Sequence, residues 1–205
     1  YLERSKTERP DDPRPRANLL FVTDINSHIK LMHGNLPKVP PNQIPFSSPD
    51  QPLHLEAMID QETANIFDIQ PGEELTLIHA TKEDDRPVIV TISGIMTPNK
   101  PEEEYWLNYK DKYQPSGNPW QTAHLFIPEE SFFGALGRTF PKMNVDYWWF
   151  LYTDQKRVKP NNARVVAFSI NRLSRELSVR LRSPRVITDL GNTANNFTTK
   201  LFFVR

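Results

Sequence analysis

The feature that most constrains this chain is one stretch, residues 53–106, in which the pattern of apolar residues changes repeatedly. Its sequence predicts a strand, a short helix, a Pro-Gly break, a hairpin of two further strands and then a polar arm that carries aromatic residues. A strand, a two-turn helix and a hairpin can bury their apolar sides against one another. The stretch therefore predicts a packing unit, and it contains no catalytic motif.

Local signals fix the short helix within this stretch. Asp60 stands directly before it, and its carboxylate can accept hydrogen bonds from the free N–H groups of the first turn. Ala64 and Phe67 give the helix one apolar side over about two turns. The pair Pro71 and Gly72 is predicted to end the helix, because proline cannot donate a hydrogen bond and glycine can take a positive φ.

The hairpin strands show the alternation of half-buried β-structure. Leu75 and Leu77 flank Thr76, and a polar turn separates this strand from the next. In the second strand, one face is predicted to carry Val88, Val90, Ile92 and Gly94, and the other face Ile89, Thr91, Ser93 and Ile95.

Upstream of this stretch, one helix is predicted after Asp24. Ile25, Ile29 and Met32 recur at helical spacing, and Gly34 would end the helix. Residues 1–18 are charged and rich in proline, which predicts a linker or an extended arm. Residues 35–52 are likewise too rich in proline for regular structure.

The rest of the chain alternates between the two periodicities. We predict strands over residues 19–23, 123–127 and 145–153, a short helix from Pro128, a long helix after Asn162, and a short strand and a last helix beyond Pro184. The apolar stripe of the long helix comprises Ala163, Val166, Ile170, Leu173, Leu177 and Leu181, and its solvated face carries Arg172, Arg175, Arg180 and Arg182.

Composition excludes several classes of function. The 25 basic and 25 acidic residues balance, so net charge gives no basis for binding nucleic acid. The absence of cysteine excludes disulfides and thiolate catalysis. No stretch approaches the roughly 20 apolar residues that cross a bilayer. The chain starts at Tyr1 without an initiator methionine, from which we expect a segment of a longer protein.

Motifs for catalysis or cofactor binding are missing from the sequence. The five histidines are scattered, and His28 and His33 are five apart, which is off the i, i+4 spacing of a helical metal site. The carboxylate clusters at 84–85 and 102–104 are predicted to be solvated turn charge, because glycosidase chemistry needs carboxylates held across a cleft. Neither a phosphate-binding glycine motif nor a serine elbow occurs. We therefore expect no metal, no cofactor and no enzymatic activity.

One group of aromatic residues follows the hairpin and is interleaved with polar residues. Such a pattern is typical of a recognition surface for a partner or ligand. It is also expected where aromatic side chains fasten a long excursion onto the body of a domain, and the sequence leaves both interpretations open. The group comprises Tyr105, Trp106, Tyr109, Tyr113 and Trp120.

The order of these elements resembles the extracytoplasmic domain of FtsX-like, MacB-type ABC transporter permeases. That family shows a strand, an E-x-A-x-x-hydrophobic helix, a hydrophobic-x-x-G-x-x-hydrophobic strand and a V-x-G-[IV] strand. The segment TPNKPEEEYW also resembles the P-x-[DN]-P-x-x-x-Y-W turn of a branch with a long ectodomain, and INSHIKLMHGNLP resembles that branch's helix followed by G-x-x-P. The family positions are carried here by Glu62, Ala64, Phe67, Ile69, Gly72, Leu75, Gly94 and Ile95.

The resemblance implies an α+β fold with two subdomains. Residues 1–52 and 131–205 would form a porter-like α/β subdomain from both chain ends, with residues 1–18 as its linker or arm. Residues 53–130 would form an inserted β-rich subdomain. In such permeases this domain lies on the extracytoplasmic side of the cell membrane, between the first and second transmembrane helices.

The same resemblance implies a function and its partners. The domain would be non-catalytic and would couple ATP hydrolysis by a cytoplasmic ABC ATPase subunit to export, or to mechanical activation of an extracytoplasmic protein partner. It would act within a full-length permease with flanking transmembrane helices, as a dimer. The alternative is an extracytoplasmic sensory module that binds a ligand or peptide through the aromatic group. A secreted hydrolase is a third class, for which no nucleophile and base occur together.

Overall fold

Seven strands form one mixed sheet in the computed structural model, which describes residues 2–4, 16–40, 51–77, 86–106, 122–143, 145–147, 157–159 and 161–180. Helices accompany the sheet, so the α+β class is confirmed. The strands are β1 (Leu2–Arg4), β2 (Arg16–Leu20), β3 (Ile29–Gly34), β4 (Leu53–Asp60), β5 (Glu74–Leu77), β6 (Val88–Pro98) and β7 (Thr122–Phe126). The helices are α1 (Ile25–His28), α2 (Gln61–Phe67), a 3-10 turn (Glu104–Trp106), π-helical α3 (Ser131–Leu136), α4 (Gly137–Thr139) and α5 (Ala163–Arg180).

The segment β4–α2–β5–β6 has the predicted order of elements. Asp60 caps α2, because its Oδ1 accepts a hydrogen bond from the Thr63 N–H at 2.9 Å and its Oδ2 accepts one from the Thr63 hydroxyl at 2.6 Å. Gly72 follows the helix with a φ of 92°, the left-handed region that glycine enters without cost. The Asp60 cap and the positive φ of Gly72 are confirmed, but the helix ends before the predicted Pro-Gly pair, at Phe67, with Asp68 in the left-handed conformation (φ 52°) as its C-cap.

Strand β6 is the centre of the sheet. It runs parallel to β4 on one side, and on its other side it pairs with two shorter strands placed end to end. Its residues 88–91 pair with β5, and its residues 94–98 pair with β3. Between these two partners, the Gly72 N–H donates to the Ile92 carbonyl at 2.7 Å and the Asn35 N–H donates to the Ser93 carbonyl at 2.8 Å.

A bulge in β6 changes which residues share a face. The register with β4 passes from Ala57 opposite Ile92 directly to Met58 opposite Gly94, so Ser93 is the extra residue. The alternation predicted for β6 therefore holds only up to Ile92. Beyond the bulge the faces exchange, and Ile95, predicted on the other face, joins the same apolar cluster as Val90.

The helix predicted after Asp24 is wrong beyond its first turn. Helix α1 contains four residues, and the chain then continues as β3, with Ile29 already in extended backbone. Asp24 itself takes the left-handed conformation (φ 58°, ψ 22°) and makes no side-chain cap. Pairing with β6 satisfies the backbone of residues 29–34, so tertiary context overrides the helical spacing of the apolar residues.

Two apolar clusters cover the sheet. The larger contains Leu55, Ala57 and Ile59 of β4 together with Val90 and Ile92 of β6. Met58, which alternates with these residues along β4, belongs instead to a second cluster. That smaller cluster consists of Ile29, Met58, Met96, Trp106 and Phe126.

A parallel strand pair completes one side of the sheet. Strands β2 and β7 run parallel over five register pairs, from Arg16 opposite Thr122 to Leu20 opposite Phe126. Strand β7 in turn meets β4 in antiparallel orientation at the pair Met58 and Phe126. The predicted strands over 19–23 and 123–127 are thus present, although the first begins and ends three residues earlier than predicted and the second one residue earlier.

The chain divides into two compact units, residues 1–145 and residues 146–205. Strands β2 and β3, which precede residue 52, are hydrogen-bonded to β7 and β6 of the expected insert. The assignment of a porter-like subdomain and an inserted subdomain stays a prediction.

In the second unit, α5 buries Ala163 and Ala167 and exposes Leu173 by 45%, so Leu173 departs from the predicted apolar stripe. Most of the strand predicted over 145–153, and every element predicted beyond Pro184, fall outside the described residues.

Candidate functional site

Two of the five aromatic residues singled out in the sequence, Tyr105 and Trp106, lie in the 3-10 turn after β6. The other three, Tyr109, Tyr113 and Trp120, lie outside the described residues. Of the expected partner surface, the structure thus describes the first two positions.

Trp106 is a core residue. Its side chain is only 3% exposed and packs in the smaller cluster with Ile29, Met58 and Phe126. A buried indole cannot contact a partner without leaving this cluster. At this position the structure favours the second interpretation, in which an aromatic side chain fastens the segment after β6 to the sheet.

Tyr105 holds the turn that precedes α1. Its ring stacks on the His28 imidazole with centroids 3.8 Å apart, and its hydroxyl donates to the Thr23 carbonyl at 2.7 Å. The His28 Nδ1 lies 3.1 Å from the Glu103 Oε2, and its Nε2 lies 3.7 Å from the Asp24 Oδ2. These contacts tie residues 23–28 to the turn at 103–106, although about 80 residues separate the two segments in the sequence.

The turn held in this way forms one wall of a cleft of about 330 Å³, at the lower end of the size range of small-ligand sites. We call it the β2–β7 cleft, since the segments that follow β2 and β7 supply most of its lining. Met58 contributes to it from β4, and Pro37 and Val39 contribute from the segment after β3. Its lining residues are Phe21, Val22, Thr23, Asp24, Ile25, Asn26, Pro37, Val39, Met58, Ile127, Pro128, Glu129 and Glu130.

The charges of the β2–β7 cleft have one sign. Asp24 stands on one wall and Glu129 and Glu130 stand on the other, all three exposed to solvent. Among the described residues that line the cleft, none is lysine, arginine or histidine. One oxygen of Asp24 accepts a hydrogen bond from the Ser27 hydroxyl at 2.8 Å, which orients its carboxylate. The cleft is thus a recess lined by both apolar side chains and polar atoms, with an acidic rim.

Asp60 has an acid–base neighbour, His124 of β7. The Asp60 side chain and His124 are 7% and 5% exposed, and both belong to the few buried polar residues of the described chain. Burial lowers the pKa of His124 from its ordinary value of 6.5, because the protonated ring loses hydration, and the Asp60 charge opposes this effect. His124 is therefore neutral in the folded protein at neutral pH.

This lowered pKa predicts a loss of stability in weak acid. Below about pH 6.5 the unfolded chain binds a proton at residue 124 more readily than the folded chain does, so the free energy of unfolding falls as the pH falls. We expect His124→Gln to reduce the slope of stability against pH between about pH 7 and pH 5, where one such group contributes at most about 1.4 kcal/mol per pH unit. Urea midpoints across this range measure it.

The matched control for this prediction is His54→Gln on β4, because His54 is exposed. It should leave the slope unchanged. A His124→Gln slope equal to that of the wild type would contradict the assignment of the acid sensitivity to the buried ring.

The structure also describes part of the carboxylate clusters that the sequence predicted to be turn charge. Glu102 and Glu104 are exposed, as expected of turn charge, whereas Glu103 contacts His28; residues 84–85 lie outside the described chain. In the described part of the chain, no three histidine, aspartate or glutamate side chains lie close enough together to hold a metal ion. Sequence reasoning missed Glu129 and Glu130 as cleft residues, since only the pairing of β7 with β2 brings them opposite Asp24.

Comparison with known proteins gives no relative from which to transfer a function: no family model, no curated protein and no solved structure matches the chain. Of the helices within the described ranges, none combines the length and the apolar character needed to span a bilayer.

Proposed function

We propose that the chain is the extracytoplasmic domain of an FtsX-like, MacB-type ABC transporter permease. In this role it catalyses no reaction and binds no cofactor. It transmits the ATP hydrolysis of a cytoplasmic ABC ATPase subunit to export of a substrate, or to activation of an extracytoplasmic protein partner. The complete permease would anchor it through flanking transmembrane helices and would work as a dimer.

One observation carries this proposal: the residues of the family resemblance occupy consecutive elements in the order that the family pattern requires. Ala64 is buried on α2, Gly72 forms the turn with positive φ, and Leu75 is fully buried on β5. Gly94 and Ile95 follow on β6, in the central strand of the sheet. The order strand, capped helix, glycine turn, strand, strand is what supports the assignment.

The proposal is tested with the complete reading frame and with the chain alone. The protein expressed from the complete reading frame should fractionate with membranes and co-purify with an ABC ATPase, whose activity in detergent or nanodiscs should change when residues 1–205 are deleted. The 205-residue chain alone should bind no ATP in equilibrium dialysis. Saturable ATP binding by the chain alone would contradict the proposal, as would a complete reading frame without hydrophobic spans.

The alternative, an extracytoplasmic module that binds a peptide or ligand, is favoured by the β2–β7 cleft. The two functions differ in what they require of the ATPase. A sensory module would bind its ligand with the same affinity whether or not an ATPase is present. A coupling domain would show a ligand or partner affinity that depends on the nucleotide state of the ATPase.

A further inference from the structure

The β2–β7 cleft lies where two neighbouring parallel strands end. The Leu20 carbonyl accepts a hydrogen bond from the Ile127 N–H at 2.9 Å. Beyond this contact, the segment after β2 continues into α1 and the segment after β7 continues into α3. Segments that leave adjacent parallel strands at their carboxyl ends separate and leave a recess, which is where sheets with parallel strands commonly bind ligands. The topology therefore accounts for the recess.

Both walls of the cleft are fixed by contacts outside it. The Tyr105 hydroxyl holds the Thr23 carbonyl on one wall at 2.7 Å. On the other wall, the Pro128 carbonyl accepts a hydrogen bond from the Phe132 N–H at 3.0 Å, which begins the helical segment. A recess whose walls are already ordered loses little conformational entropy when it is filled.

The lining of the cleft combines polar atoms with apolar side chains. Val22, Met58 and Ile127 line it, and of these Met58 and Ile127 are buried core residues. Val39 also lines it and is 46% exposed, so a large apolar side chain faces solvent there. Covering such a side chain removes apolar surface from water, which favours an occupant with apolar groups of its own.

The rim of the cleft selects the charge of that occupant. Carboxylates of Asp24, Glu129 and Glu130 repel phosphates and acidic peptides and attract cations. A long cationic side chain meets both demands, because the aliphatic stem of arginine or lysine packs on apolar surface while its charged end reaches a carboxylate.

We propose that the β2–β7 cleft binds a basic segment of a partner polypeptide, in which arginine or lysine alternates with apolar residues. The cationic ends contact the carboxylates of Glu129, Glu130 and Asp24, and an apolar side chain covers Val39. This inference is independent of the permease assignment, since it rests only on the cleft.

The test uses the 205-residue chain and a fluorescein-labelled peptide in which arginine alternates with leucine, with anisotropy as the measurement. We expect saturable binding that weakens as salt rises, because exposed ion pairs are screened. Two control peptides replace arginine by glutamate, or leucine by glycine, and both should bind at least about tenfold more weakly. Equal binding of either control peptide, or no saturable binding of the arginine–leucine peptide, overturns the proposal.

Variants then locate the site. The double substitution Glu129→Gln and Glu130→Gln should lower the affinity for the arginine–leucine peptide about tenfold. Val39→Lys should lower this affinity at least as much, because it places a positive charge in the cleft. The matched control is Glu74→Gln with Glu102→Gln, which removes the same charge from exposed positions that do not line the cleft and should change affinity by less than about twofold. Thermal unfolding establishes that each variant folds. Folded cleft variants that bind like the control pair would overturn the assignment.

Discussion

Replacing Gly94 with alanine is expected to lower the free energy of unfolding by about 3 kcal/mol, a large share of the stability of a domain of this size. A Cβ at this position would lie 2.5 Å from the Asn35 carbonyl oxygen and 2.9 Å from a methyl group of Leu31. The oxygen belongs to backbone that cannot move aside easily, because the Asn35 N–H is itself hydrogen-bonded to the Ser93 carbonyl at 2.8 Å.

The pairing on the other side of β6 removes the remaining freedom. Gly94 lies opposite Gly34 of β3 and also opposite Met58 of β4, so the strand is held from both edges. The added methyl group must therefore separate β3 from β6 and break ladder hydrogen bonds. Equilibrium unfolding in urea, followed by far-ultraviolet circular dichroism, measures the loss.

Two glycines of the same chain serve as controls for the Gly94 prediction. Apart from its chain neighbours and the backbone of its own helix, nothing lies within 4 Å of a Cβ built at Gly134, so Gly134→Ala in helical α3 should be neutral or stabilise by up to about 1 kcal/mol. Gly72 also has open space but a φ of 92°, so Gly72→Ala should cost about 1 to 2 kcal/mol of backbone strain alone. A Gly94→Ala loss no larger than that of Gly72→Ala would show that β3 yields to the methyl group.

Truncating Trp106 to alanine is the second large effect, with an expected loss of about 3 to 5 kcal/mol. The indole is 3% exposed and fills the space between Ile29, Met58 and Phe126, so its removal leaves a cavity beneath the 3-10 turn. Urea midpoints measure the loss, and the near-ultraviolet circular dichroism should also change as the packing around the aromatic rings loosens.

The neighbouring Tyr105→Phe is the control for this truncation. It keeps the ring that stacks on His28 and removes only the hydroxyl that donates to the Thr23 carbonyl, so it should cost about 1 kcal/mol. If Trp106→Ala proved as mild as Tyr105→Phe, the burial of the indole would not contribute to stability. If the loss is large, reduced partner binding by Trp106→Ala reports a damaged core and not a lost contact surface.

Local signals made part of this fold predictable. Asp60 acts within a few residues of the helix that it caps, so its effect is predictable from the neighbouring sequence, and the positive φ of Gly72 is predictable from its residue type. Strand β3 could not be predicted from local sequence, because Ile25, Ile29 and Met32 have the spacing of a helix. The chain there is extended only because β6, more than 60 residues later, offers it a ladder.

The candidate site was less predictable than the fold. The interleaved aromatic pattern predicted Tyr105 and Trp106 as candidate partner residues. The exposure of the Trp106 indole, however, depends on packing partners such as Met58 and Phe126, which are distant in sequence and which no local pattern connects to it. The acidic rim of the β2–β7 cleft joins residue 24 to residues 129–130 across a hundred residues of sequence. Such a site is created by strand pairing, and no spacing rule in one sequence predicts it.

The single antiparallel pair between Met58 and Phe126 has a mechanical consequence. A force that pulls along β2 acts on its five register pairs with β7 in shear, so these pairs share the tension. From β7 to β4 the same force passes through one register pair and through the side chains of both apolar clusters. The junction between β7 and β4 therefore resists the force mainly by side-chain packing, whereas β4 and β6 are joined along their length by eight register pairs.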